Sequence, residues 1–155
     1  MSERNAQFNQ REMNAMSHDY HEGGCQCGAV RFRTTNQPKR VIACHCKTCK
    51  QRTGAVYGVG VYMADEDVEF LSGEMRSYEF HSSESGRWLR NEFCAVCGSA
   101  ITWTLEMRPG LRGIAGGVYD EPDWFTVDAH IWTNSARSDM RYADHVQVFE
   151  EALPA

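Results

Sequence analysis

Seven cysteines dominate the chemistry available to this 155-residue chain. They fall into three groups: Cys25 and Cys27; Cys44, Cys46 and Cys49; Cys94 and Cys97. Written as one pattern they read C-x-C-x16-C-x-C-x2-C-x44-C-x2-C. Each group is close enough in sequence for its sulfurs to meet around one ion. In an extended C-x-C the two Cβ atoms lie on the same side of the strand. In Cys94-Ala95-Val96-Cys97-Gly98 a tight turn can gather two sulfurs and aim backbone N–H groups at them, with glycine accepting the φ that the turn needs. Zinc takes four ligands, with thiolates at about 2.3 Å, so seven thiolates divide into four plus three. Cys25 and Cys27 pair best with Cys94 and Cys97, because both groups end in a cysteine followed by glycine; this set is closed and structural. Cys44, Cys46 and Cys49 then leave a fourth position open, which is the arrangement of a catalytic zinc. Other readings stay open at this point. His45, or a distant His81 or His130, could close the second site, and the thiols could be redox-active without metal. His45 stands between two ligands on an extended segment, so its side chain should point to the opposite face.

Composition narrows the class. Sixteen Lys and Arg against twenty-one Asp and Glu leave a net charge of −5, which argues against broad nucleic-acid or anionic-membrane binding. No apolar run approaches the roughly 18 residues of a membrane span. The first twenty residues hold no hydrophobic stretch, so no secretory signal is expected and the chain reads as soluble and cytoplasmic. In a reducing compartment clustered cysteines are metal ligands or catalytic thiols, and an odd number cannot pair completely.

The elements that must position these residues are strands. Ala29 to Arg33 alternates apolar and charged residues, as a half-buried strand does. Tyr57 to Tyr62, Trp88 to Phe93, Ser99 to Trp103, Leu111 to Ala115 and Val127 to Trp132 are further strand candidates. Val68 to Phe70 and Met75 to Phe80 flank Ser72-Gly73, which reads as a hairpin turn. A short helical turn is expected after Cys46, through Lys50. Residues 1–19 are polar and aperiodic and are expected to form a flexible tail, with Met13 and Met16 as alternative starts. One domain is expected over residues 20–150, with 151–155 as a C-terminal tail. The architecture is mainly β, with packed antiparallel sheets.

With these residues in hand, the chain resembles the glutathione-dependent formaldehyde-activating (GFA) family, which includes centromere protein V. The resemblance rests on Gly24-Cys25-Gln26-Cys27-Gly28-Ala29-Val30-Arg31-Phe32, Cys44-His45-Cys46-Lys47-Thr48-Cys49, Gly54 and Phe93-Cys94-Ala95-Val96-Cys97-Gly98, with weaker echoes in Gly116-Gly117 and His130-Ile131-Trp132. It implies the β-tent fold and two zinc ions per chain. It also implies a carbon–sulfur lyase that reversibly joins formaldehyde to glutathione as S-hydroxymethylglutathione. Members often carry a Trp shortly after the H-I-[FWY] segment, where this chain has Ser138-Asp139-Met140. The alternatives are a non-catalytic zinc-binding interaction module and a thiol or metal sensor.

The chemistry agrees with a thiol partner. Zinc held by three thiolates is a poor generator of hydroxide and a good host for a soft sulfur. Cys44, Cys46 and Cys49 would therefore act as ligands and not as nucleophiles. Glutathione carries two carboxylates, so an acidic chain must present local cations. Lys47, Lys50 and Arg52 lie in or beside the second cysteine group. Arg52-Thr53-Gly54 is the candidate substrate-binding segment, as a guanidinium fork with backbone donors. Tyr57, Trp103, His130 and Trp132 are candidates for the wall of the site.

Overall fold

The structure, a computed structural model, describes residues 20–83 and 85–154. The expected tail over residues 1–19, including Met13 and Met16, lies outside the described residues. A three-stranded antiparallel sheet is formed by β1 (Tyr20–Gly24), β2 (Arg31–Thr35) and β5 (Val68–Ser72), with β2 in the middle. The second sheet has eight strands: β3 (Arg40–Cys44), β4 (Gly58–Ala64), β6 (Met75–His81), β7 (Trp88–Cys94), β8 (Ala100–Leu105), β9 (Leu111–Ala115), β10 (Ala129–Ile131) and β11 (Gln147–Val148). Their order is β11-β10-β3-β4-β9-β8-β7-β6.

Alternation along the strands decides which face is buried. Phe32 on β2 and the preceding Val30 meet Val41, Val61, Met63, Ile101 and Ile114 of the large sheet in one core. None of these is more than 2% exposed, and each such side chain contributes about 1.5–3 kcal/mol on burial. Tyr119 closes this core edge-on to Phe32, ring centroids 5.2 Å apart. The fold is thus mainly β with two packed sheets, as the sequence predicts. It is not wholly antiparallel: β10 runs parallel to both β3 and β11. The long path from β9 to β10 leaves the direction of β10 free of any hairpin constraint.

The expected hairpin at Ser72-Gly73 is not formed. β5 pairs with β2, and β6 pairs with β7. The segment instead crosses from one sheet to the other. At Gly73, with φ +88°, a Cβ would stand 2.3 Å from the Ala29 carbonyl oxygen. Turn residues signal a reversal or crossing but carry no information about which strand is paired next.

The other face of the large sheet carries the site. Cross-strand registers put Cys44 opposite Gly58, Tyr62 opposite Gly113, and Gly113 opposite Trp103. The indole of Trp103 lies across the floor made by Gly60 and Gly113, where Cβ atoms would approach it to 2.7 and 2.2 Å. Its Nε1–H donates to the Tyr62 hydroxyl at 3.2 Å. Gly113→Ala should therefore displace Trp103 and destabilise the domain by about 1–3 kcal/mol. A lower urea midpoint with altered tryptophan fluorescence is expected; an unchanged midpoint and spectrum would contradict this packing.

Candidate functional site

The first cysteine group is built from two turns. Cys25 and Cys27 follow β1, with Gly28 at φ +79° and its N–H on the Cys25 carbonyl at 3.0 Å. Cys94 ends β7, and the Gly98 N–H returns to the Cys94 carbonyl at 3.0 Å with φ +75°. Each turn aims backbone donors at sulfur. Val30 N–H donates to Cys25 Sγ at 3.1 Å, and Val96 and Cys97 N–H groups donate to Cys94 Sγ at 3.4 and 3.5 Å. The four sulfurs of Cys25, Cys27, Cys94 and Cys97 lie within 4.8 Å of one another. The sulfur separations of 3.4 Å (Cys25–Cys27) and 3.8 Å (Cys27–Cys94) are near the roughly 3.8 Å edge of a tetrahedron of sulfurs at about 2.3 Å from zinc. The donor set is all thiol, which suits zinc. The Ser99 hydroxyl, 3.1 Å from Cys97 Sγ, and then the Ser99 backbone pull the Cys97 thiol down to about 5. The Ala29 backbone favours the Cys27 thiolate, but the Cys25 thiol beside it and burial prevail and push Cys27 up to about 11.

The second group occupies a strand end and the helix that follows. Cys44 is the last residue of β3, Cys46 is the N-cap of α1 (Lys47–Thr53), and Cys49 lies in its first turn. A cap must offer an acceptor to a free helical N–H, and here Cys46 Sγ takes the Cys49 N–H at 3.4 Å. The three sulfurs lie within 4.8 Å of one another. Among the described residues no His, Asp or Glu joins either group. Without metal the three thiols share charge unequally. Cys44 and then Cys46 hydrogen-bond to Cys49, and with the Arg52 guanidinium they hold Cys49 near 3. Cys44 is pushed up by the same neighbours, Cys46 first and then Cys49. A divalent ion entering here would displace the protons still held.

α1 is short because Gly54 stops it: at φ +67° its N–H returns to the Lys50 carbonyl at 2.9 Å. The Gly54 N–H and the Thr53 hydroxyl, which donates to the Cys49 carbonyl at 2.8 Å, therefore both serve the helix end. Arg52 is placed differently. Its guanidinium lies 3.8 Å from the Trp103 ring centroid, and its buried Nη1 has no hydrogen-bond partner. A Cβ at Gly58 would touch Arg52 Nη2 at 3.1 Å and Cys49 Cβ at 3.6 Å, so the absence of a side chain at 58 leaves Arg52 beside the sulfurs. Lys50 Nζ donates to the Ser135 carbonyl, and Lys47 is exposed.

The remaining sequence candidates separate. Trp103 is 3% exposed and forms the bed for Arg52. His45 does point away from the sulfurs: it is fully buried, with Nε2 2.8 Å from His130 Nδ1. Tyr57 lies beside this pair, its ring centroid 5.1 Å from His45. Trp132 follows β10 in a left-handed conformation, φ +56°, and bonds through its N–H to the Glu151 carbonyl at 3.0 Å. Tyr142, which sequence reasoning did not single out, packs 4.8 Å from His130. The contact spans a stretch without a regular element, apart from one short 3-10 turn, and no helical or strand period encodes it.

Comparison with known proteins bears on this arrangement. The family model described as glutathione-dependent formaldehyde-activating enzyme matches residues 20–135. A Halomonas elongata protein named "Putative glutathione-dependent formaldehyde-activating enzyme" is 31% identical over 91 residues, covering 56% of this chain and 57% of that protein. The match thus spans little more than half the length of that curated relative. The crystal structure of a Rhodobacter sphaeroides protein is similar with a TM-score of 0.53 and 21% identity, over 68% of this chain and 96% of that one; this likeness concerns the fold alone. The family match contains all seven cysteines and both of the clusters they form, and the chain belongs to the glutathione-dependent formaldehyde-activating enzyme family.

Proposed function

We propose that this chain is a zinc-dependent carbon–sulfur lyase that forms and cleaves S-hydroxymethylglutathione from formaldehyde and glutathione. Two zinc ions per chain are assigned. Cys25, Cys27, Cys94 and Cys97 hold a structural one, and Cys44, Cys46 and Cys49 hold the catalytic one. The observation that carries the reading is the convergence of three sulfurs with no fourth protein ligand among the described residues. Zinc, when bound there, supplies stabilisation of a substrate thiol as thiolate at neutral pH, about 1.5 pKa units or roughly 2 kcal/mol.

The chain's own residues then do the following. Cys44, Cys46 and Cys49 remain ligands throughout. The substrate loses its thiol proton, its sulfur bonds to the formaldehyde carbon, and the carbonyl oxygen takes up a proton; cleavage is the reverse. Arg52, bedded on Trp103 beside Cys49, is the cation that orients a substrate carboxylate. Thr53 and Gly54 contribute by ending α1 at the point that turns Arg52 inward. A soluble, cytoplasmic setting suits both the thiol substrate and the thiolate ligands.

Formaldehyde and thiols combine unaided, so the test is a rate and not a product. Two-dimensional exchange NMR should show faster interconversion of glutathione and S-hydroxymethylglutathione with the protein present, and no acceleration with Cys46→Ser. Equal exchange with and without protein would overturn the lyase reading. Arg52→Gln should weaken glutathione binding about 10–100-fold, the worth of one charge-assisted hydrogen bond. It should weaken 2-mercaptoethanol, which has no carboxylate, much less. Equal losses for both thiols would remove Arg52 from substrate recognition.

A further inference from the structure

The segment that carries Cys44 and Cys46 is held from behind by a second cluster, which contains no cysteine. His45 lies between the two cysteines and is fully buried. Two bonds tie it to β10: its backbone N–H reaches the Ile131 carbonyl at 3.0 Å, and its Nε2 lies 2.8 Å from His130 Nδ1. The rings of Tyr57 and Tyr142 enclose the pair, at 5.1 Å from His45 and 4.8 Å from His130. The other His45 nitrogen, Nδ1, is buried with no hydrogen-bond partner. A buried imidazole with one nitrogen unpaired carries a desolvation penalty that an apolar side chain of the same shape would not, so packing alone does not account for this pair. Its geometry has one other consequence. On an extended segment, fixing the side chain of residue 45 on one face fixes the directions of residues 44 and 46 on the other.

We infer that His130 is a positioning residue for the three-cysteine site, acting through His45. The His130–His45 bond sets the rotation of the Cys44-His45-Cys46 segment about its own axis, so that the Cys44 and Cys46 sulfurs converge with Cys49 before any metal arrives. The pairing of β10 with β3 brings the bond into register: His130 stands opposite Ala43 and Ile131 opposite Cys44, so the imidazole of His130 lies on the face shared by Ala43 and by His45 two residues on. The four-cysteine cluster shares no residue with this arrangement and serves as an internal reference.

The test is competitive zinc titration against a chromophoric chelator, read separately for the two ions of the full-length protein, together with the d–d spectrum of the cobalt-substituted form. In His130→Leu the affinity of one ion should fall at least about tenfold, the range seen when groups behind metal ligands are removed. The other ion should bind as in wild type, and the cobalt spectrum of the weakened site should broaden. His130→Asn places an amide atom where Nδ1 was and should recover both affinity and spectrum. If His130→Leu does not fold, His130→Asn and His130→Gln decide the matter, because glutamine carries its amide one bond further out and should not restore the spectrum. Wild-type affinity in His130→Leu, equal weakening of both ions, or identical behaviour of the asparagine and glutamine variants would overturn the inference.

Discussion

Cys97→Ser should cost the protein one metal ion and several kcal/mol of stability. Cys97 is exposed, and exposed serine-for-cysteine exchanges ordinarily change stability by less than about 0.5 kcal/mol. A large loss in this variant would therefore come from the metal and not from packing. The four-cysteine cluster ties the turn after β1 to the end of β7, two elements of different sheets. An ion held there closes a chain loop of roughly seventy residues and contributes folding energy directly. With about 3 kcal/mol lost, the melting temperature should fall by roughly 6–12 °C for a domain of this length. Calorimetry with metal analysis checks both parts. A variant that melts like wild type with two ions bound would contradict the assignment of Cys25, Cys27, Cys94 and Cys97 to one structural site.

Cys46→Ser should have the opposite profile. Cys44, Cys46 and Cys49 span one strand end and the first turn of a seven-residue helix, so an ion held there would crosslink little of the chain. The expected result is a folded protein with one ion, a melting temperature within a few degrees of wild type, and no acceleration of thiol–formaldehyde exchange. Serine can still cap α1, since its hydroxyl accepts a helical N–H at least as well as sulfur does, and helix loss should not confound the outcome. Global unfolding of Cys46→Ser would mean that the second site is structural.

The joining of Cys25 and Cys27 to Cys94 and Cys97 rested on the likeness of two distant turns, while each turn was legible from short-range spacing and from glycine after Cys27 and Cys97. Both are local properties, and both turns form with those glycines at positive φ. The direction of His45 was legible for the same reason, since neighbours on an extended segment face opposite ways. Strand identity was legible from alternation in β2 and β4, and β7, β8 and β9 were expected as further short strands. Strand pairing was not. Ser72-Gly73 resembles a hairpin turn, yet β5 and β6 part into different sheets, because the pairing is decided by which faces the core can bury. β1 was not foreseen either: Tyr-His-Glu-Gly-Gly has little alternation, and its strand exists because β2 supplies a partner over its full length. The bed of Arg52 was equally hidden. Trp103 can lie flat only because residues 60 and 113, more than fifty positions apart, are both glycine. The His45–His130 bond likewise joins residues 85 positions apart.

The central claim is that the three-cysteine zinc keeps a fourth position for a substrate thiol. X-ray absorption on the two-zinc protein tests it directly. Averaged over both ions, the sulfur count should be about 3.5 without thiol and about 4 with glutathione, because only the three-cysteine site gains a ligand. About one proton should be released near pH 7 as the thiol enters deprotonated. S-methylglutathione, which has no ionisable thiol, should leave the count at about 3.5. A count that stays near 3.5 while glutathione and S-methylglutathione bind equally well would contradict the account, and would mean that the peptide is recognised through its carboxylates alone.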